Sequence, residues 1–161
     1  MEDNYLAFLD VIYLDDNAAL RGGCLVTDLE TRPQEFRCTS AIRPTELQRV
    51  LYGRKLMEYV CMDLVGIPMV KAIKLQPSIT LVRNLEFLKI RPRVAIPILL
   101  VETSPDGNIR GLIPFQGYSE EANSAKLILK GFTKEDILEP FTRVRNALEE
   151  AHRQKVGDPK S

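Results

Sequence analysis

The alternation of hydrophobic and polar positions in the first forty residues predicts three antiparallel strands. The first segment is apolar on both of its alternating faces, which is typical of a strand buried on both sides of a sheet. Clusters of turn-forming residues follow the first and second segments, so we expect the chain to reverse direction at each of them. The predicted strands cover residues 6–14, 20–27 and 34–41.

The second and third of these strands contain two of the three cysteines. Pairing the strands about the turn at 28–33 places Val26 opposite Phe36 and Cys24 opposite Cys38, all on one apolar face. A Cys24–Cys38 disulfide is one consequence of this register. Two buried thiols are the alternative, and a reducing cytosol favours them.

The spacing of apolar residues becomes helical after Pro44. Thr45 and Gln48 have the form of a capping box, and Leu47, Val50 and Leu51 follow at helical spacing. Residues 117–131 are ambiguous between helix and loop. The remaining predicted elements are helices over 55–65 and 68–74, a strand over 78–82, a helical turn over 85–90, a hairpin of strands over 94–101 and 109–115, and a last helix capped by Thr133.

Together these elements predict a single α/β domain over residues 1–156 and a frayed polar tail over 157–161. The domain has a mixed sheet that begins with a three-strand antiparallel meander. Helices, a further buried strand, a hairpin and a C-terminal helix follow. A chain of 161 residues with 45% hydrophobic residues is large enough to build one such core.

The composition also limits the cellular setting. The longest apolar run, 94–101, is too short to cross a bilayer, and the acidic N-terminus has no basic segment leading into an apolar one. The three cysteines form no Cys-x-x-Cys pair, and one histidine offers little support for a zinc site. We therefore expect a cytoplasmic protein without a membrane partner and without a bound metal.

Charge is segregated along the chain although the net charge is zero. Residues 1–35 carry eight acids and two bases, whereas residues 36–93 carry eleven bases and four acids. The basic middle segment begins at the predicted capped helix, where Arg43, Thr45, Arg49 and Arg54 are candidates for binding an anion. A well-capped helix with solvated or ion-paired arginines is the structural alternative.

Asp10 is the one candidate catalytic residue, because an unpaired carboxylate in an apolar strand is costly. The structural alternative is an aspartate at a strand end, or one paired with an arginine such as Arg37 or Arg43. Three antiparallel strands, a helix and a further buried strand resemble the opening of RNase H-like folds, endonuclease V domains among them. That resemblance implies a first-strand aspartate that joins other carboxylates to hold two Mg²⁺ or Mn²⁺ ions for attack on a phosphodiester. The fourth strand, however, ends at Arg83 and Asn84, where the layout calls for an aspartate. The acids that could replace it are Glu46, Glu58, Glu86 and Glu102.

These patterns favour a non-enzymatic binding or scaffold module that contacts an anionic ligand through its basic middle segment. A zero net charge and the absence of tryptophan make a protein partner or a homo-oligomer the preferred expectation over nucleic acid. Two alternatives stay open at this point. One is a divalent-metal-dependent nuclease or phosphodiesterase that uses Asp10, and the other is a sensor of a small anionic ligand.

Overall fold

The computed structural model describes residues 4–159. Residues 1–3 and the last two residues of the predicted tail, 160–161, lie outside this range. The strands are β1 (Leu6–Leu14), β2 (Ala19–Thr27), β3 (Pro33–Cys38), β4 (Ile79–Val82), β5 (Ile98–Thr103) and β6 (Ile109–Pro114). The helices are α1 (Glu46–Tyr52), α2 (Leu56–Tyr59), α3 (Ile67–Ala72), α4 (Leu85–Leu88), α5 (Ser119–Ile128) and α6 (Lys134–Arg153), with a π-helical segment, Val60–Gly66, between α2 and α3.

The six strands form one mixed sheet in the order β3-β2-β1-β4-β5-β6. β1 pairs with β2 in antiparallel fashion and with β4 in parallel, and β5 continues the parallel part before β6 reverses it. The prediction of an α/β domain with a mixed sheet and an N-terminal meander is confirmed. The sheet lies between two layers of helices, because β1 has apolar residues on both faces and both faces must be covered.

Helices cover the two faces of the sheet and create two hydrophobic layers. On one face the π-helical segment and α4 supply Val60, Cys61, Val65 and Phe87. On the other face α6 supplies a stripe at helical spacing, as the sequence predicts. Its buried residues are Ile137, Phe141, Val144, Leu148 and Ala151. Thr133 caps this helix through the backbone N–H of Asp136, so its predicted start is confirmed.

The predicted register of the β2–β3 hairpin is wrong by one residue. Phe36 lies opposite Leu25 rather than Val26, because the pairing is irregular between Val26 and Thr27. A shift of one residue moves side chains to the other face of a sheet. Cys24 consequently packs in the layer under the π-helical segment, whereas Cys38 packs against the layer under α6, and both are free thiols.

β2 and the π-helical segment approach very closely. A Cβ atom on Gly22 would lie 2.1 Å from Cγ1 of Val65, and a Cβ on Gly23 would lie 2.9 Å from Cδ2 of Leu148 in α6. The Gly22-Gly23 pair therefore lets helices pack tightly on both faces of the same strand. This packing is the role of the two glycines that interrupt the strand pattern.

The structure adds to or corrects the sequence prediction at three places. The helical stripe of Leu47, Val50 and Leu51 forms, but these side chains are 66–72% exposed and no residue of α1 is buried. The strand predicted to start at residue 94 starts at Ile98, since Arg91–Arg93 forms a 3₁₀ turn before it. The ambiguous segment 117–131 contains the helix α5.

A buried arginine ties the end of the described chain to β2. Arg21 has no exposed surface, and its guanidinium donates hydrogen bonds to the carbonyl oxygens of Thr39 and Val156 at 2.9 and 2.8 Å. It also donates to Asp158 Oδ1 at 3.1 Å and to His152 Nδ1 at 3.0 Å. The first residues of the predicted tail are thus held by hydrogen bonds. None of the helices between residues 4 and 159 has the length and apolar character needed to cross a membrane.

Candidate functional site

Asp10 lies in the middle of β1, close to the point where the neighbouring parallel strand ends. β4 pairs with β1 from Leu6 to Leu9, so Arg83 and Asn84 follow the last paired residue of β4 beside Asp10. Phe8 and Ile12, two positions away on either side, belong to the hydrophobic layer under α6. The alternation of a strand therefore directs the Asp10 side chain toward α6.

Asp10 lines a cavity of about 460 Å³ together with Arg83, Asn84, Leu85 and Arg145. We call these five residues the Asp10 cleft. The end of β4 and the start of α4 supply the three consecutive residues, and α6 supplies Arg145. The Oδ1 atom of Asn84 accepts a hydrogen bond from the backbone N–H of Glu86 at the start of α4, which fixes this side chain at the cleft. The cleft stands at the carboxyl end of β4, beside the last residue of β1 that pairs with it, and α/β proteins commonly bind ligands at the carboxyl ends of parallel strands.

The carboxyl group of Asp10 is buried, which makes its ionised form unfavourable. Its residue is 9% exposed, and burial raises the pKa of Asp10 above its ordinary value. The backbone N–H of Val11, 2.9 Å from Oδ1, and the charges of Arg145 and Arg83 offset part of this increase. A carboxyl group with a raised pKa in a cleft is suited to exchange a proton with a bound reactant.

Two arginines flank Asp10 without forming an ion pair. Within residues 4–159, no carboxylate oxygen lies within 4.0 Å of a guanidinium nitrogen of Arg83 or Arg145. Both side chains are exposed, and the Arg83 guanidinium lies 5.9 Å from the centre of the Phe141 ring. Their donors are therefore available to a ligand.

The residues around Asp10 do not fit the metal pair that the RNase H-like resemblance implies. No group of three or more Asp, Glu, His or Cys side chains in residues 4–159 is arranged to hold a metal ion. Glu86 binds Lys89 at 3.0 Å and Glu58 binds Lys55 at 3.3 Å. Glu46 lies on α1 and Glu102 near the end of β5, so neither follows β4 as the missing aspartate would.

The basic middle segment is largely engaged within the protein. Arg43 pairs with Asp15 at 2.8 Å, and Arg49 donates to the carbonyl oxygen of Asn17 at 3.0 Å. Thr45 and Gln48 complete the capping box, which occupies N–H groups at the start of α1. Arg54 is exposed. Three of the four anion-binding candidates therefore have internal partners, and two of these contacts join the basic segment to the acidic turn after β1.

Sequence reasoning identified Asp10 but missed Arg145. In the sequence, Arg83 and Asn84 stand where the RNase H-like layout calls for an aspartate, and they were not among the candidate site residues. Arg145 lies on the exposed side of α6, far from Asp10 in sequence, and nothing in its local pattern distinguishes it from other surface arginines. Only the packing of α6 across β1 brings it to the cleft.

The fold is similar to that of endonuclease V. The crystal structure of an endonuclease V from Bacillus subtilis matches with a TM-score of 0.53 and 12% sequence identity, over 94% of this chain and 83% of that chain. Two structures of endonuclease V from Ciona intestinalis, both complexes with inosine-containing DNA, match with TM-scores of 0.33 and 0.35 at 9% and 10% identity. Each covers 91% of this chain and 57% of its own. No protein-family model and no curated protein matches the sequence.

Two expectations are corrected by these structures. The sequence favoured a non-enzymatic scaffold module, and it placed a protein partner or a second copy before nucleic acid. Both expectations are corrected, because the solved structure that shares this fold at a TM-score of 0.53 is that of an endonuclease. The expectation about partners rested on the net charge of the whole chain, whereas a nucleic-acid site needs only local positive charge. The RNase H-like layout, in contrast, is confirmed.

Proposed function

We propose that this protein binds nucleic acid and acts on its phosphodiester backbone in the Asp10 cleft. The observation that carries the proposal is the placement of Arg83 and Arg145, two arginines that form no ion pair with residues 4–159, beside the buried carboxyl group of Asp10. This arrangement stands at the carboxyl end of β4, beside the middle of β1, in a fold similar to that of an endonuclease.

The cleft offers the groups that a backbone phosphate requires. A guanidinium presents several N–H donors in one plane and binds phosphate oxygens in pairs. Arg83 and Arg145 approach the cleft from different elements, so one phosphate can receive donors from two sides. The Nδ2 group of Asn84 adds a neutral donor, since its Oδ1 atom already caps α4.

Asp10 then has the role of a general base. In hydrolysis, a water molecule attacks phosphorus and transfers a proton to the Asp10 carboxylate. The bond from phosphorus to the leaving oxygen breaks, and that oxygen takes a proton from solvent. The arginines stabilise the negative charge that develops on the phosphate oxygens. Because burial raises the pKa of Asp10, its carboxylate is a stronger base than an exposed aspartate.

Fluorescence polarisation with labelled single-stranded and duplex oligonucleotides tests the binding part. We expect the double variant Arg83→Gln/Arg145→Gln to bind about tenfold more weakly, and the slope of log K against log salt to fall by about two. The matched control is Arg32→Gln/Arg153→Gln, which removes the same charge from exposed, ion-paired arginines elsewhere. Equal affinity and slope in both double variants, or no binding by the wild type at low salt, would refute the proposal.

A cleavage assay on labelled DNA and RNA tests the catalytic part. Asp10→Asn keeps the shape of the side chain but removes the base, so we expect at least a hundredfold slower cleavage with oligonucleotide affinity retained. Cleavage by the variant at the wild-type rate would show that Asp10 is not the base.

A cytoplasmic location is part of this proposal. Cys24, Cys38 and Cys61 are free thiols, and burial raises the pKa of Cys24 and of Cys61 to about 12. Unpaired cysteines of this kind fit a reducing compartment.

A further inference from the structure

We infer that the Asp10 cleft functions without a divalent cation, and that Arg83 and Arg145 supply the positive charge that metal ions supply in two-metal phosphodiester sites. This inference rests on the proposed function for its nucleic-acid readout. Its metal-binding readout is independent of that function.

The first step concerns ligands. Mg²⁺ and Mn²⁺ prefer oxygen ligands, and a two-metal site is built from several converging carboxylates. In the described part of the chain the cleft contains one carboxylate, Asp10, and its other polar groups are two guanidiniums and an amide. The nearest acid along the chain, Glu86, holds Lys89 instead. A single carboxylate is a weak ligand set for either ion.

The second step concerns charge. In a site of several carboxylates the negative charge must be neutralised before a phosphate can enter, and metal ions do this. In the Asp10 cleft two guanidiniums face one carboxylate, so its formal charge is +1 when Asp10 is ionised. A phosphodiester with a charge of −1 neutralises the cleft completely. A divalent cation would instead add repulsion from both arginines.

The third step concerns the position of Arg83. It follows β4 at the place where the RNase H-like layout calls for an aspartate, directly beyond the residues that pair with β1. Replacing an acid by a base at this one position removes a metal ligand and adds a phosphate ligand. Both changes favour direct binding of a phosphate by the Arg83 guanidinium.

Titration with Mn²⁺ alone, followed by electron paramagnetic resonance, gives the decisive readout. We expect wild type and Asp10→Asn to show the same weak binding, with no site tighter than about 0.1–1 mM. The variant Arg83→Asp restores a second carboxylate beside Asp10, and we expect it to gain Mn²⁺ affinity at least tenfold. The double variant Arg83→Asp/Asp10→Asn should lose that gain. A tight Mn²⁺ site in the wild type that disappears in Asp10→Asn would overturn the inference.

The second readout uses the oligonucleotides. We expect the wild-type dissociation constants measured in EDTA and in Mg²⁺ at equal ionic strength to agree within a factor of two. Binding that requires Mg²⁺ would overturn the inference. If no oligonucleotide binds under either condition, the proposed function fails, while the Mn²⁺ titration still decides whether the cleft takes a divalent cation. Circular dichroism confirms that each variant is folded.

Discussion

Arg21 and the pair Arg83 and Arg145 show two ways in which this protein holds an arginine. Arg21 is completely buried, and its donors are met by two carbonyl oxygens, a carboxylate and an imidazole. Arg83 and Arg145 are exposed beside Asp10 and have no carboxylate within 4.0 Å in residues 4–159. The chemical group is the same in both regions, and its surroundings differ.

The difference separates a structural role from a binding role. A buried charge is stable only when hydrogen bonds and an opposite charge replace its water. Arg21 meets that condition inside the molecule, so it joins β2 to the segment after α6. Arg83 and Arg145 keep their water and their free donors, and can exchange that water for an anion from outside. His152 extends the hydrogen-bond network of Arg21 to the turn after β1, since its Nε2 atom lies 3.0 Å from Oδ1 of Asp15.

The largest expected effect is the loss of Arg21. Arg21→Met leaves Asp158, His152 and two carbonyl oxygens without their donor, so we expect the free energy of unfolding to fall by about 3–5 kcal/mol. Urea denaturation measures the change. Arg153→Met, which removes an exposed arginine from the end of α6, is the control and should change stability by less than about 0.5 kcal/mol. A loss below about 1 kcal/mol in Arg21→Met would show that this network is not structural.

The contact between β2 and the π-helical segment should be the next most sensitive. Gly22→Ala places a methyl group 2.1 Å from Val65, so the helix must move, at a cost of about 1–3 kcal/mol. Gly111→Ala in β6 is the control, because its added methyl group would lie 4.0 Å from Cδ1 of Ile113, an ordinary van der Waals distance. Thermal unfolding of both variants checks this prediction. Equal melting temperatures would mean that β2 does not need a glycine at this position.

Asp10→Asn should show a smaller effect that depends on pH. The pKa of Asp10 is raised in the folded state, so its favourable contribution exists below the ordinary value of 3.8 and is lost as pH rises through the folded value. We therefore expect the variant to melt at a higher temperature than the wild type at pH 7, with the difference shrinking at pH 3. A difference that does not grow with pH contradicts the prediction.

Asp28→Asn provides a control of opposite sign for this measurement. Burial opposes ionisation of Asp28, but hydrogen bonds from Arg32 and Glu30 outweigh it and lower its pKa. Its stabilising contribution is present above the ordinary pKa and is lost as pH falls. We therefore expect Asp28→Asn to melt below the wild type at pH 7 and to approach it at low pH.

The smallest effect is expected for Arg83→Gln and Arg145→Gln. Neither side chain has an internal ion pair among the described residues. Both variants lose a coulombic attraction to Asp10, which is the smallest of the effects on its pKa, and Arg83 also loses a long cation–π contact with Phe141. We expect each variant to stay within about 0.5 kcal/mol of the wild type in urea denaturation. A fall of more than about 1 kcal/mol in the free energy of unfolding would show that Arg83 and Arg145 have a structural role, as Arg21 does.

Sequence reasoning recovered the strands because burial on one or both faces leaves a period of two residues. It missed the β2–β3 register because one irregular pairing between Val26 and Thr27 leaves no mark in that pattern. The helical spacing of Leu47, Val50 and Leu51 predicted α1, but it could not tell that these side chains are exposed in the described chain. At the site, Asp10 was visible as a charge in an apolar strand. Arg145 was not, because only the packing of distant elements makes it a neighbour.

The position of β1 in the sheet also affects how the chain folds while it is being synthesised. β1 precedes the other five described strands of this sheet along the chain and stands inside the finished sheet, but its partner β4 follows about 70 residues later. At about 5–20 residues per second, a ribosome needs several seconds to deliver that partner. During this interval the meander of β1, β2 and β3 can form while the edge of β1 from Leu6 to Leu9 stays open to other chains. We therefore expect the yield of native protein to fall when translation between the meander and residue 82 is slowed.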